Sequence, residues 1–250
     1  MISTLPDVVV AAFIAFCRIG GCFLVMPGLS SVRVPMHVRL FIAIAVTFAL
    51  LPPLWSAILP YVGQKPDALF LLIVSESLVG VLIGLMARLY VLALQFIGSS
   101  ISMLIGFGGA MGPAIEEAEP QPALAALLSF SALLLLFLLN FHHEIIKALV
   151  SSYRLVPLNM MFNPQSALVD VTDTLSESFT VMLRLGSPFV AYAILINLAI
   201  GFVNKLTPQI PVYFISLPFV ITGGLILMYL GVGVFLTLFA DGFVPVTIGR

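Results

Sequence analysis

His142, His143 and Glu144, within "NFHHEIIKALV", are the residues whose types most suggest chemistry. A zinc-binding helix sets its ligands one turn apart on one face, as in H-E-x-x-H. Adjacent histidines diverge by about 100° on a helix, and the third histidine, His37, lies in a separate loop. The spacing argues against a metal centre and for the polar start of an interfacial helix, so no metal or cofactor is expected. Charges inside apolar runs come next: Arg18, Glu76, Arg88 and Arg184. A charge at membrane depth needs a partner, a cavity or the interface. Glu76 and Arg88 lie about 18 Å apart along a helix, so they cannot pair on one; Glu76 with Arg18 is the expected cross-segment pair. A proton relay would need more carboxylates at that depth. The chain carries no nucleophile elbow, phosphate loop, dinucleotide fingerprint or CxxC, and an enzyme is not expected.

A different kind of work is suggested by "GFGGAMGPAIEEAEPQP", residues 106–122. Gly106, Gly108, Gly109 and Gly112 make its backbone permissive. Phe107, Met111 and Ile115 are apolar bodies on that thread. Glu116, Glu117 and Glu119 follow, and Pro120 and Pro122 stiffen the entry to the next segment. An aqueous connector is one reading. The other is a movable stopper, in which apolar side chains at a constriction exclude water and ions by dewetting and glycine hinges let it swing aside.

The elements that must carry these residues are set by composition. The 250 residues are 61% hydrophobic and 8% charged, with a net charge of −1, against about 25% charged in a soluble domain. This is the composition of one all-α integral membrane domain, with no basic footprint for nucleic acid. The first apolar run carries Asp7 and has no basic leader, so it is expected to be retained. Its two cysteines, Cys17 and Cys22, point different ways on a helix and read as small apolar packers. Six apolar blocks stand out: 8–26, 38–59, 69–105, 123–139, 179–203 and 210–240. The third is too long for a ~30 Å hydrocarbon core and is expected to tilt, project or break at Gly80, Gly84 or Gly98. The last, with Pro211, Pro218 and four glycines, is expected to be a broken helix covered by protein. Residues 151–178 are the most polar stretch and read as a loop with a short amphipathic helix, with Asn163-Pro164 marking a turn. Gly80 and Gly84 form a GxxxG step for close helix contact. With six alternating spans, Arg33, Arg39 and Lys205 face Lys65, Lys147, Arg154 and Arg250; the positive-inside rule then picks no orientation.

Taken in order, the residues resemble the FliR family, membrane subunits of the type III export gate of flagella, with counterparts in injectisomes. The resemblance is carried by Arg18-Ile-Gly-Gly21, Met26-Pro-Gly-Leu-Ser-Ser31, Val34-Pro35, Val38-Arg39 and Leu51-Pro52-Pro53. It continues through Glu76 with Gly80 and Gly84, Gly98–Ser102, Asn140 with His142-His143, Asn197, Gly201 and Thr207-Pro208-Gln209. The chain departs from the pattern at Phe141, Pro211 and Ser216-Leu217. The resemblance implies long kinked or broken helices and helical hairpins: a FliP-like part over 1–178 that includes a plug loop at 106–122, and a FliQ-like hairpin over 179–250 turning at Lys205, Pro208 and Gln209. It implies FliP-, FliQ-, FlhB- and FlhA-like partners, unfolded protein substrates, and a place in the bacterial inner membrane at the flagellar basal body. Two rival readings are a secondary transporter built on broken helices and a metalloprotein centred on His142, His143 and Glu144.

Overall fold

The computed structural model describes residues 5–31, 33–113 and 120–247. Among them run seven α-helices: α1 (Leu5–Val25), α2 (Met36–Ile58), α3 (Pro66–Leu104), α4 (Ala123–Leu138), α5 (Phe141–Leu155), α6 (Pro164–Leu206) and α7 (Val212–Thr247). A 3-10 turn, Leu59–Tyr61, follows α2. Two short strands, β1 (Met111–Gly112) and β2 (Gln121–Pro122), form the described sheet. Five helices are long and apolar enough to cross a membrane, six spans if α4 and α5 count as one broken span.

Several expectations needed correction. Of tilting, projecting or breaking, the third apolar block does not break: α3 runs 39 residues, about 58 Å, through Gly80, Gly84 and Gly98. A glycine costs a helix about 1 kcal/mol, and close packing against a neighbouring backbone outweighs that at Gly80 and Gly84. Likewise α7 runs unbroken for 36 residues through Pro218 and its glycines. The polar stretch is mostly helical: α5 extends to Leu155 and α6 begins at Pro164. Asn163-Pro164, expected as a turn, is the start of α6. Proline suits the first helical position because its missing N–H has no intrahelical partner anyway, and Asn163 Oδ1 accepts from Gln165 N at 3.0 Å.

The chain divides into two compact units. One comprises residues 1–90, 140–176 and 244–250. Its core is the packing of α1 with α2, the first part of α3, and the apolar stripe of α5. That stripe, Phe141, Ile145, Leu149 and Tyr153, has helical spacing and is buried, and it makes α5 the most clearly amphipathic helix. Asn140, just before it, adopts left-handed φ 59°, which asparagine tolerates better than most residues. The other unit comprises 91–139 and 177–243. It holds the end of α3, the glycine-rich loop, α4 and most of the α6–α7 hairpin. Buried Ile97, Ile101, Ile105, Phe189, Phe235 and Phe239 form its core.

Candidate functional site

In the first unit, Arg18 on α1 and Glu76 on α3 meet as the expected pair. Their side chains are 0% and 1% exposed. Arg18 Nε donates to Glu76 Oε2 and Nη2 to Oε1, each at 2.7 Å, the bidentate fork a guanidinium makes with a carboxylate. Arg18 Nη1 donates to Ser152 Oγ and Nη2 to the Val156 carbonyl, both at 3.0 Å. The guanidinium carbon lies 4.0 Å from the Tyr153 ring centroid, a cation–π contact made away from water. One charge thus joins α1, α3, α5 and the connection after α5. Ser75, beside Glu76, extends the node: its Oγ accepts from Phe162 N at 2.8 Å. Arg88 is half-buried and Arg184 is exposed, so neither shares the node.

Charge can pair at this depth because small residues let the helices touch. A methyl group at Gly80 would overlap the Arg18 carbonyl, one at Gly84 would stand 2.5 Å from the Cys22 carbonyl oxygen, and one at Gly21 2.7 Å from that of Ser77. The GxxxG step therefore serves a contact within the chain, α1 against α3. Cys17 and Cys22 are free and buried beside it.

The second unit holds the glycine-rich loop. Helix α3 ends in a Schellman motif: Gly106 N donates to Met103 O at 3.1 Å and Phe107 N to Ser102 O at 2.8 Å. Gly106 sits at φ +78°, where glycine pays no Cβ penalty, and a Cβ there would lie 3.2 Å from Leu217 Cδ1. Beyond it the chain turns, with Ala110 N donating to Phe107 O at 3.3 Å. Strand β1 then pairs antiparallel with β2, Met111 opposite Pro122 and Gly112 opposite Gln121. Ala123 N donates to Ala110 O at 2.7 Å, so the ribbon leads directly into α4. A Cβ at Gly112 would stand 2.8 Å from Ala123 Cα, which reserves that position for glycine. The glycines differ in purpose: Gly106 stops a helix, Gly112 admits a backbone, Gly108 rests against Met103, and Gly109 faces open space. Phe107 is half-buried and Met111 is 67% exposed. Ile115, Glu116, Glu117 and Glu119 lie outside the described residues.

Pro208 and Gln209 fall in the exposed turn between α6 and α7, whereas Lys205, expected in that turn, is exposed in the last turn of α6. Thr207 N and Oγ1 both bond Val203 O at 2.9 Å to close α6. His142 and His143 lie with ring centroids 4.3 Å apart and planes tilted by 40°, and Glu144 pairs with Lys147 at 2.7 Å. The sequence reading missed Ser152, Tyr153 and the Val156 carbonyl as partners of Arg18. The four-residue spacing of Phe141, Ile145, Leu149 and Tyr153 was the available signal.

These features define a predominantly α-helical, multi-pass membrane protein, pinned by a buried charge node and carrying a glycine-rich loop between two apolar helices. The chain matches the family described as bacterial export proteins, family 1, over residues 9–245, and it belongs to that family. It is similar to the flagellar biosynthetic protein FliR of Caulobacter vibrioides, 30% identical over 91% of this chain and 90% of the relative. The FliR of Escherichia coli is 29% identical over 81% and 76%, and that of Bacillus subtilis 26% over 90% and 87%. This is thus a FliR-family membrane component of a bacterial export apparatus.

Proposed function

We propose that the chain is a non-enzymatic core subunit of the flagellar protein export gate in the bacterial inner membrane. With FliP- and FliQ-like partners it forms the pore for unfolded export substrates, alongside FlhB- and FlhA-like proteins. Residues 1–178 act as the FliP-like part and 179–250 as the FliQ-like hairpin. The loop at 106–122 is the plug, with Phe107, Met111 and Ile115 as its apolar stopper. The single observation that carries this is the loop's construction: a capped helix end leads into a two-residue ribbon that itself bears exposed Met111. A two-stranded ribbon is marginal by itself, so its two strands can part. The broad apolar exposure of α6 and α7, with Phe202 60%, Phe214 74% and Phe219 75% exposed, supports the assembly, because such faces call for lipid or partner helices.

Deleting residues 106–112 from the assembled complex tests the plug. Partners should still co-purify, and the complex should conduct ions in a planar bilayer where the intact one does not. Assembled complex with unchanged conductance would remove the plug from the account.

A further inference from the structure

The first unit contains a feature that plugging leaves unused. Along the seam of α1 and α2 lie two adjoining apolar hollows of about 250 and 290 Å³, both lined by Phe13 and Phe16. The first reaches Met36, Arg39 and Leu40 near the start of α2; the second reaches Ile44 and Phe48 further along it. From Met36 to Phe48 is about 18 Å of helix, close to the ~15 Å that one leaflet takes of a ~30 Å hydrocarbon core. The outer lip is open, with Phe13 50%, Met36 60% and Phe48 59% exposed.

Polarity changes along this groove. Its far end is lined by apolar side chains and Thr47, whose hydroxyl is bonded to Ala43 O at 2.7 Å. At its near end Arg39 donates through Nε to Val34 O at 3.1 Å and through Nη2 to Ser31 O at 2.5 Å. Those bonds hold the guanidinium in place without using Nη1. Arg33 and His37 flank it in sequence, and no Asp or Glu occurs between Asp7 and Asp67. A cation held at one end of a leaflet-long apolar groove matches an acyl chain carrying a phosphate. Ser77 and Val81 of α3 also line the first hollow, and volumes of about 250 and 290 Å³ suit an acyl chain, not a partner helix about 10–12 Å across.

We infer that the α1–α2 groove binds one anionic phospholipid, an acyl chain lying along Phe13, Phe16 and Ile44 and its phosphate on Arg39. The bound lipid fills the groove and ties the start of α2 to the headgroup layer. This site shares no residue with the plug loop and stands or falls without it.

Native mass spectrometry of the full chain in its assembled complex tests the site, with phosphatidylglycerol and phosphatidylcholine of identical chains as probes. Phosphatidylglycerol should be retained about tenfold better, because both lipids offer Arg39 a phosphate but the choline cation of phosphatidylcholine is repelled by the guanidinium. Arg39→Gln should erase that preference and Arg39→Lys should keep most of it. Ile44→Trp, which fills the groove and leaves Arg39 in place, should abolish retention of both lipids. Equal retention of the two lipids by the native chain, or unaltered retention in Ile44→Trp, would overturn the inference. So would Phe48→Cys cross-linking quantitatively to a partner protein, because the groove would then be covered by protein.

Discussion

Replacing Glu76 with alanine removes both carboxylate oxygens from a guanidinium that is 0% exposed. Arg18 keeps its bonds to Ser152 Oγ and the Val156 carbonyl and its place over Tyr153, but its charge loses its counterion. Breaking a buried pair from one side costs about 3–5 kcal/mol. In a chain of this size that corresponds to on the order of 10 °C in melting temperature. The protein carries its own reporters: Cys17 and Cys22 are 9% and 0% exposed and lie on α1 around Arg18. A thiol-reactive fluorophore in detergent should label Glu76→Ala at a temperature roughly 10 °C below the native chain. The double variant Arg18→Met, Glu76→Met should recover much of the loss, since apolar replacement of a whole buried pair is often neutral. Labelling of Glu76→Ala at the native temperature, or a double variant weaker than the single, would refute the reasoning that the node is a coupled pair.

The remaining predictions use the same physics elsewhere. Gly80→Ala and Gly84→Ala place a methyl against the Arg18 and Cys22 carbonyls, so each should cost about 1–3 kcal/mol by overpacking and raise the labelling rate of Cys22. Gly106→Ala forces a side chain into φ +78°, costs on the order of 1 kcal/mol, and should raise the basal conductance of the assembled gate. Gly109→Ala meets nothing within 4 Å and should leave conductance unchanged, which separates strain at the helix cap from mere loss of glycine.

Much of the charge node was legible in the sequence, for a physical reason. A membrane segment does not leave Arg18 and Glu76 unpaired, and the helical distance to Arg88 excluded the other candidate. The GxxxG step was legible as a close contact, but not its partner. That requires knowing that α1 crosses α3 at Gly21, and a single sequence carries no crossing geometry. Ser152 and Tyr153 were hidden because the polar residues of 151–178 outweighed the apolar stripe that continues into them. In the loop, glycine was legible as backbone freedom. Which glycine stops a helix and which admits a neighbour depends on Met103, Leu217 and Ala123 being nearby. The helix continues through Gly80 and Gly84 because propensity is a weak constraint once packing opposes it. The two-residue ribbon between Met111 and Pro122 is too short for any strand periodicity to show.

The most direct measurement locks that ribbon. In cells with an exportable reporter, cysteines at Met111 and Pro122, opposed across the ribbon, can be bridged by a disulfide, while native Cys17 and Cys22 stay buried. With the bridge formed, export should stop, and adding a reductant should restore it. Export at the native rate through a complex whose bridge is shown to be fully formed would contradict the claim that this loop must part for substrate to pass.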